Sequence, residues 1–163
     1  MRKLKIYLDT SVISFLYADD SPEKREITVD FFDNYLSQYD VYISNLVLTE
    51  INNTADKELK DALINAIEKY SLQVLQIPEN YQELIFSLAR TYIGEKVIPE
   101  NKIDDAVHIA ICTIFEFDIL LSWNFRHIAN IKKQMQVASV NKKEGYLKEL
   151  FLFNPMEVIY EKG

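Results

Sequence analysis

The sequence predicts an α/β fold on a mostly parallel sheet, and three observations predict it. Short apolar runs of strand length alternate with helix-length segments along the chain, the pattern of crossover units that place parallel strands side by side under helices. No repeat, low-complexity tract or composition shift divides the chain, and 163 residues suit one domain. Finally, acidic and hydroxyl side chains fall where apolar runs end, and ligands of such sheets bind at the carboxyl ends of strands.

Lys5 to Leu8 is the first strand, and Asp9-Thr10-Ser11 offers capping side chains for a helix behind it. Ser21-Pro22-Glu23 opens the next helix, with proline in the first turn and an early acid favourable to the dipole. Ile27, Phe31, Phe32 and Tyr35 extend it to about Gln38. Val41 to Ile43 is a second strand, and Ser44 or Asn45 caps a short helix that carries Glu50. A further helix covers Ala55 to Tyr70, and a strand runs from Val74 to Ile77, stopped by Pro78. Asn80 to Tyr92 reads as helix, ending near Gly94, and Asp104 to Phe115 as a strongly apolar one. Phe117 to Leu121 is a strand, followed by a polar turn at Ser122 to Asn124 and a helix near His127 to Gln134. Leu150 to Phe153 is the last strand.

Composition narrows the class. With 48% hydrophobic and 26% charged residues, 3 glycines and 4 prolines, the chain is an ordinary globular one without long linkers. Its one cysteine, Cys112, lies among Ile109, Ile111 and Ile114 as a core residue and forms no internal disulfide. No stretch approaches the ~20 apolar residues of a membrane span, and the opening apolar run is too short for a signal peptide. A cytoplasmic protein is expected. The net charge of −7, from 18 basic and 25 acidic side chains, argues against non-specific nucleic-acid binding. It leaves room for an enzyme that gathers carboxylates around a metal.

Four polar positions converge by topology on one rim of this sheet. Asp9 ends the first strand, Glu50 follows the second, Asp105 begins the long apolar helix, and Asn124 follows the next strand. Their separations, roughly 40, 55 and 20 residues, are too wide for a local network. At these positions the sequence resembles the PIN-domain family, particularly its VapC-type toxin branch. Tyr7-Leu8-Asp9-Thr10-Ser11-Val12-Ile13 is similar to the family's opening strand with its aspartate and hydroxyl. Leu46-Val47-Leu48-Thr49-Glu50-Ile51 resembles the second-acid helix, and Asp105-Ala106-Val107-His108-Ile109-Ala110 the third-acid helix start. Leu120-Leu121-Ser122-Trp123-Asn124 is similar to a segment that normally ends in Thr-x-Asp, and the tail from Val140 to Ile159 resembles a subfamily ending.

The resemblance implies a three-layer α/β/α fold with a central sheet of four to five strands. It also implies a magnesium- or manganese-dependent endoribonuclease, the toxin of a type II toxin–antitoxin pair, that forms homodimers and is inhibited by a small antitoxin. Asp9, Glu50, Asp105 and Asn124 are then the catalytic and metal-binding set. Packed carboxylates repel, so an empty site should show raised, coupled pKa values. A hard divalent cation relieves that repulsion through oxygen ligands, can acidify a bound water and stabilises charge on a phosphate oxygen. Asn124 departs from the family's fourth acid and removes a full charge. One ion held tightly and a second held weakly or not at all is the expectation.

Thr10, Ser11, Asp104, His108 and Ser122 are candidates for the surrounding shell. Asp104 stands about 100° around the helix from Asp105, so only one of the two should point squarely inward. Each residue has a plainer reading as well. Asp9-Thr10-Ser11 would serve a strand-to-helix cap, His108 a packed core, Trp123 a fold anchor or a base-stacking platform, and Asp105 a dipole-complementing acid. Arg126, His127, Lys132-Lys133 and Lys142-Lys143 are candidate phosphate or RNA contacts, and the Phe31-Phe32 pair a surface for dimer or antitoxin. The alternative function is a catalytically weak PIN scaffold that binds RNA or protein. A phosphoacceptor receiver domain would want paired acids near the first strand and a lysine after the last, and neither is present.

Overall fold

The structure, a computed structural model, describes residues 2–160; Met1 and residues 161–163 of the expected 1–163 domain lie outside the described residues. Five strands form one sheet: β1 (Lys5–Leu8), β2 (Asp40–Ile43), β3 (Gln73–Val74), β4 (Ile119–Leu121) and β5 (Phe151–Phe153). They lie in the order β3-β2-β1-β4-β5, and every neighbouring pair is parallel. The expected three-layer α/β/α architecture is therefore present, with a sheet that is wholly parallel. Ile6, Tyr7 and Leu8 of β1 are fully buried, as are Leu120 and Leu121 of β4. Strands covered on both faces read as continuous apolar runs, which is why β1 and β4 were visible in the sequence.

Among the described residues seven α-helices cover the sheet: α1 (Thr10–Ser14), α2 (Pro22–Asp30), α3 (Asn45–Asn52), α4 (Lys57–Lys69), α5 (Gln82–Gly94), α6 (Ile103–Ile114) and α7 (Ile131–Lys143). Two differ from expectation. The helix expected to run to Gln38 stops being α-helical at Asp30, continuing as a π turn over Phe31–Tyr35 and a 3-10 turn over Leu36–Gln38. The wider turn falls where two adjacent large side chains both go inward: Phe31 and Phe32 are buried and meet edge to face at 5.6 Å. The pair is thus core, and the expectation that it offers a contact surface is corrected. The helix expected at His127 to Gln134 begins at Ile131, because Asn124 holds the preceding turn with its carbonyl and amide oxygens. Asn130 supplies the true N-cap, its side chain accepting from Lys133 N at 2.8 Å.

β3 covers Gln73–Val74 instead of the expected Val74 to Ile77; it is an edge strand paired with β2, and Leu75 N still donates to Ile43 O beyond it. A buried polar knot ties the three helices behind β4 together. Tyr92 of α5 donates to Asn141 of α7, whose amide nitrogen donates to Thr113 of α6 at 3.1 Å. Such buried groups are costly unless paired, and here they are paired.

Helices α4 to α7 end alike, with a residue of positive φ two positions past the helix: Ser71, Lys96, Glu116 and Gly145. After α6, Phe117 N donates back to Cys112 O and Glu116 N to Thr113 O, the double bond of a Schellman motif. Glycine occupies this place in α7 alone. Glu116, at φ 57° and exposed, sits in a conformation that its Cβ disfavours. Glu116→Gly is expected to stabilise the fold by roughly 0.5 kcal/mol, the relief of strain exceeding the added freedom of the unfolded chain; the urea midpoint should rise with unchanged slope.

Candidate active site

The carboxyl ends of β1, β2 and β4 deliver Asp9, Ser44 and Ser122 to one edge of the sheet. Helix α6 runs back across the sheet, so its first turn brings Asp104 and Asp105 to the same edge. Glu50 descends from α3, and the turn after β4 adds Asn124. A cleft of about 480 Å³ opens there, lined by Glu50, Asn101, Lys102, Ile103, Asp104, Asp105, Asn124, Arg126 and His127. Three of the four expected site residues share this cleft. Asp9 does not line it and is buried, 5% exposed. Asp104 lines it too, at an exposed position beside the half-buried Asp105.

The expected capping residues spend their side chains elsewhere. Neither Asp9 nor Ser44 makes a side-chain cap to the helix it precedes. Asp9 instead accepts from Ser11 Oγ at 2.5 Å and from Ser122 Oγ. Those hydroxyls are themselves fixed: Ser11 Oγ accepts from Trp123 N and Ser122 Oγ from Asn124 N, both at 2.9 Å. The polar turn after β4 is thereby laced to the end of β1. Trp123 is an anchor, 4% exposed, with its indole nitrogen donating to Thr28 Oγ1 at 2.9 Å.

A second chain of hydrogen bonds runs beneath the cleft. Thr10 Oγ1 donates to Glu50 Oε1 at 2.8 Å, and His108 Nε2 meets the same oxygen at 2.7 Å. His108 Nδ1 lies 2.7 Å from Tyr7 OH, which lies 2.7 Å from Ser44 Oγ. The chain closes in both protonation states of His108. As imidazolium the ring donates to Glu50 and Tyr7, and Tyr7 to Ser44; as neutral imidazole it accepts from Tyr7. His108 is both the buried histidine of the plain reading, at 2% exposed, and a neighbour of the acids.

The electrostatics divide the acids. Burial raises Asp9, with Asp105 adding repulsion, while His108 and the two serine hydroxyls pull it down less than burial lifts it. Burial also raises Asp105, and Glu50 adds to that, against attraction from His108, His127 and Lys102. For Glu50 burial alone would raise the pKa, but the His108 hydrogen bond and charge, with Thr10, outweigh it and the value is lowered. His108 is the mirror image: burial lowers it, and Glu50, Asp9 and Asp105 together raise it. His127 is lowered, first by burial and then by Arg126, Lys133 and Lys102, against the pull of Asp105.

Asn124 is oriented by two partners. Its amide nitrogen donates to Asp105 Oδ2 at 3.2 Å, and its oxygen accepts from His127 N at 2.9 Å. One lone pair of the oxygen that would ligate an ion is therefore engaged in the turn. Among the described residues, no group of three or more His, Cys, Asp or Glu side chains stands close enough to hold an ion. Sequence reasoning missed Tyr7 and Ser44 as parts of the network. A tyrosine inside a strand buried on both faces was the available signal, since its hydroxyl has to find a partner there.

Among curated proteins no significant match to the sequence is found. The chain is similar in fold to one chain of the crystal structure of VapBC2 from Rickettsia felis bound to a DNA fragment from their promoter. The TM-score is 0.53 at 15% identity, with 93% of this chain and 98% of that one covered, a likeness of fold. Among the described residues no helix is long and apolar enough to cross a membrane. The family model described as the PIN domain matches residues 6–130, most of the chain and every residue of the acidic edge, and the chain belongs to the PIN-domain family.

Proposed function

We propose that this protein is a metal-dependent endoribonuclease that hydrolyses RNA phosphodiester bonds as the cytoplasmic toxin of a type II toxin–antitoxin pair. The observation that carries the reading is the convergence of Glu50, Asp105 and Asn124 on one cleft, with Asp9 buried at the same sheet edge. Asp9 and Asp105 are both raised, chiefly by burial and further by the neighbouring acids, as expected of carboxylates gathered in a functional pocket. Membership of the PIN family supports a nuclease, and the fold shared with a chain of VapBC2 supports partnership with a small antitoxin.

By type the donors suit a hard divalent cation, with carboxylate oxygens from Asp9, Glu50 and Asp105 and the second lone pair of the Asn124 amide oxygen, and the three acids would have to close up around it. Magnesium or manganese is the proposed ion, one bound firmly and a second weakly or not at all. When bound, such an ion supplies Lewis acidity and neutralises charge building on a phosphate oxygen. The chain's own contribution is placement. Ser11 and Ser122 fix the Asp9 carboxylate, Thr10 and His108 fix Glu50, and Asn124 steers Asp105. Lys102 and Arg126 line the cleft as cations for an incoming phosphate.

Structured RNA incubated with magnesium or manganese tests the reading, beside a chelator control and an Asp9→Asn variant. Cleavage that needs both metal and Asp9 is expected; equal cleavage by both proteins overturns the assignment. His108→Gln removes a positioning residue, and metal affinity or kcat should fall roughly 10- to 100-fold. The accompanying sign is a change in the acid limb of the pH–rate profile as Glu50 loses its partner; an unchanged profile would leave His108 purely structural. The proposal includes a homodimer, which light scattering would show as twice the chain mass.

The engaged oxygen of Asn124 and the absence of an assembled three-acid group among the described residues favour one second reading. In it the scaffold binds RNA or protein with little catalysis. Calorimetric titration separates the two, since no heat with millimolar manganese would select the binding module.

A further inference from the structure

A second cleft, of about 420 Å³, adjoins the acidic one and shares two of its lining residues, Arg126 and His127. Its remaining wall comes from the end of α5 and the loop beyond it, Ile93 to Glu100, and from Lys133 of α7. Three cations, Lys96, Arg126 and Lys133, face one carboxylate, Glu100, in this lining. The reversal is local: the chain as a whole carries −7, and the neighbouring cleft is lined by Glu50, Asp104 and Asp105. We infer that this basic cleft is a phosphodiester-backbone subsite, holding single-stranded RNA beside the acidic centre so that an adjacent phosphate lies at the acids. The inference rests on the proposed nuclease reading and adds to it the residues that hold the strand.

Three features make the cleft suited to an anionic backbone rather than to an incidental counter-ion. Arg126 and His127 sit on the turn whose first residue, Asn124, is bonded to Asp105, so the boundary between basic and acidic walls is held by the site itself. Lys133 is tethered, its ammonium donating to Val97 O across the cleft wall, and burial together with Lys132 lowers its pKa. A partly desolvated cation crowded by a like charge gains from an anionic partner. Arg126 and Lys96 are exposed and free to reach phosphate oxygens. An overall acidic protein needs such a local footprint to hold RNA at all.

Lys96 offers an unusually clean test. It stands in the left-handed conformation at φ 62°, where Lys96 N donates to Ile93 O and Val97 N to Tyr92 O. Glycine is the favoured occupant of that position, so Lys96→Gly removes the charge without harming the helix end. Arg126→Ser removes the second cation at an exposed place. The measurement is binding of a fluorescein-labelled single-stranded RNA oligonucleotide in chelator, across a series of salt concentrations, for the full chain and the double variant. The double variant should bind on the order of tenfold more weakly at low salt, and its log–log salt slope should flatten by about 1.4, or 0.7 for each lost contact. Its melting temperature should match or exceed that of the parent.

Equal affinity and equal slope would overturn the subsite. So would a parent that ignores RNA but binds polyglutamate through the same two residues, since the cleft would then receive an acidic protein segment. Metal-dependent cleavage is scored in parallel. Cleavage by the parent with no binding defect in the double variant removes the subsite alone. A binding defect in the double variant, with a parent that binds RNA but never cleaves it, removes the nuclease reading and leaves the subsite standing.

Discussion

Asp9→Asn is expected to lower RNA cleavage on the order of a hundredfold to a thousandfold, the scale of losing one preorganised electrostatic group, and at the same time to stabilise the metal-free fold. Both effects come from one fact, the burial of a carboxylate among other acids. Its folded pKa lies above the ordinary carboxylate value of 3.8, chiefly because burial penalises the charge. A carboxyl raised in the folded state binds protons more tightly there than when unfolded, so its ionisation erodes stability as pH rises from the unfolded value through the folded one. At neutral pH that cost is fully present, and the isosteric amide removes it. Asn can still accept a hydroxyl hydrogen through its oxygen, and the second hydroxyl can turn to receive its amide. Relief of about 1 kcal/mol corresponds to a rise in melting temperature of roughly 2–4 °C. The counterpart is metal-induced stabilisation, which requires binding to the folded state and should be present in the parent and lost in the variant. A variant that melts lower than the parent in chelator, or that is stabilised by manganese to the same extent, would contradict this account.

How much of this was legible in the sequence follows from the kind of signal each residue gives. β1 and β4 declared themselves because strands buried on both faces are continuous apolar runs, and the acid at the end of β1 is then placed by topology. Glu50 and Asp105 were found by their place after β2 and at the start of α6, although the sequence could not say that Glu50 would be held by His108. Pairing across 58 residues is tertiary information. The orientation of Asn124 was equally hidden: an asparagine that follows a strand is both a possible ligand and a turn former, and here the turn takes its oxygen. Phe31 and Phe32 misled because adjacent aromatic residues on a regular helix cannot both face inward; the π turn that lets them do so has no simple sequence mark. The cap-like residues Asp9 and Ser44 misled in the opposite direction. Their side chains were expected to serve helix ends locally and instead serve the network between strands.

Asp118 is the residue that sequence reading passed over entirely, and it carries the largest stability prediction. It sits just before β4, at the end of the sheet opposite the acids, and is 7% exposed. Its carboxylate receives Arg2 Nη1 and Nη2 at 2.7 and 2.9 Å, the backbone N–H of Lys5 at 2.8 Å and Lys148 Nζ at 2.8 Å. Its own N–H donates to Lys5 O, and Phe151 N donates to its carbonyl. One side chain thus ties the entries of β1, β4 and β5. The Arg2 hydrogen bonds hold its carboxyl well below the usual range, aided by Lys148 and the Lys5 N–H against burial.

Asp118→Ala strands the Lys5 N–H and leaves Lys148 without its partner. Allowing for solvent around the exposed Arg2 arm, the loss is about 2–3 kcal/mol, or a fall in melting temperature of roughly 4–12 °C. Asp118→Asn keeps an acceptor for Lys5 and should lose about half as much. The sign of the pH effect follows from a depressed folded pKa: the stabilisation is complete above the unfolded value near 3.8 and is lost as pH falls below it. The parent should therefore lose stability on acidification more steeply than Asp118→Ala, and the two curves should converge at low pH. Parallel curves down to pH 2 would show that the clamp acts through packing rather than charge. Because the carboxylate lies at the end of the strands remote from Asp9 and Glu50, either variant should keep its cleavage activity at temperatures where it remains folded.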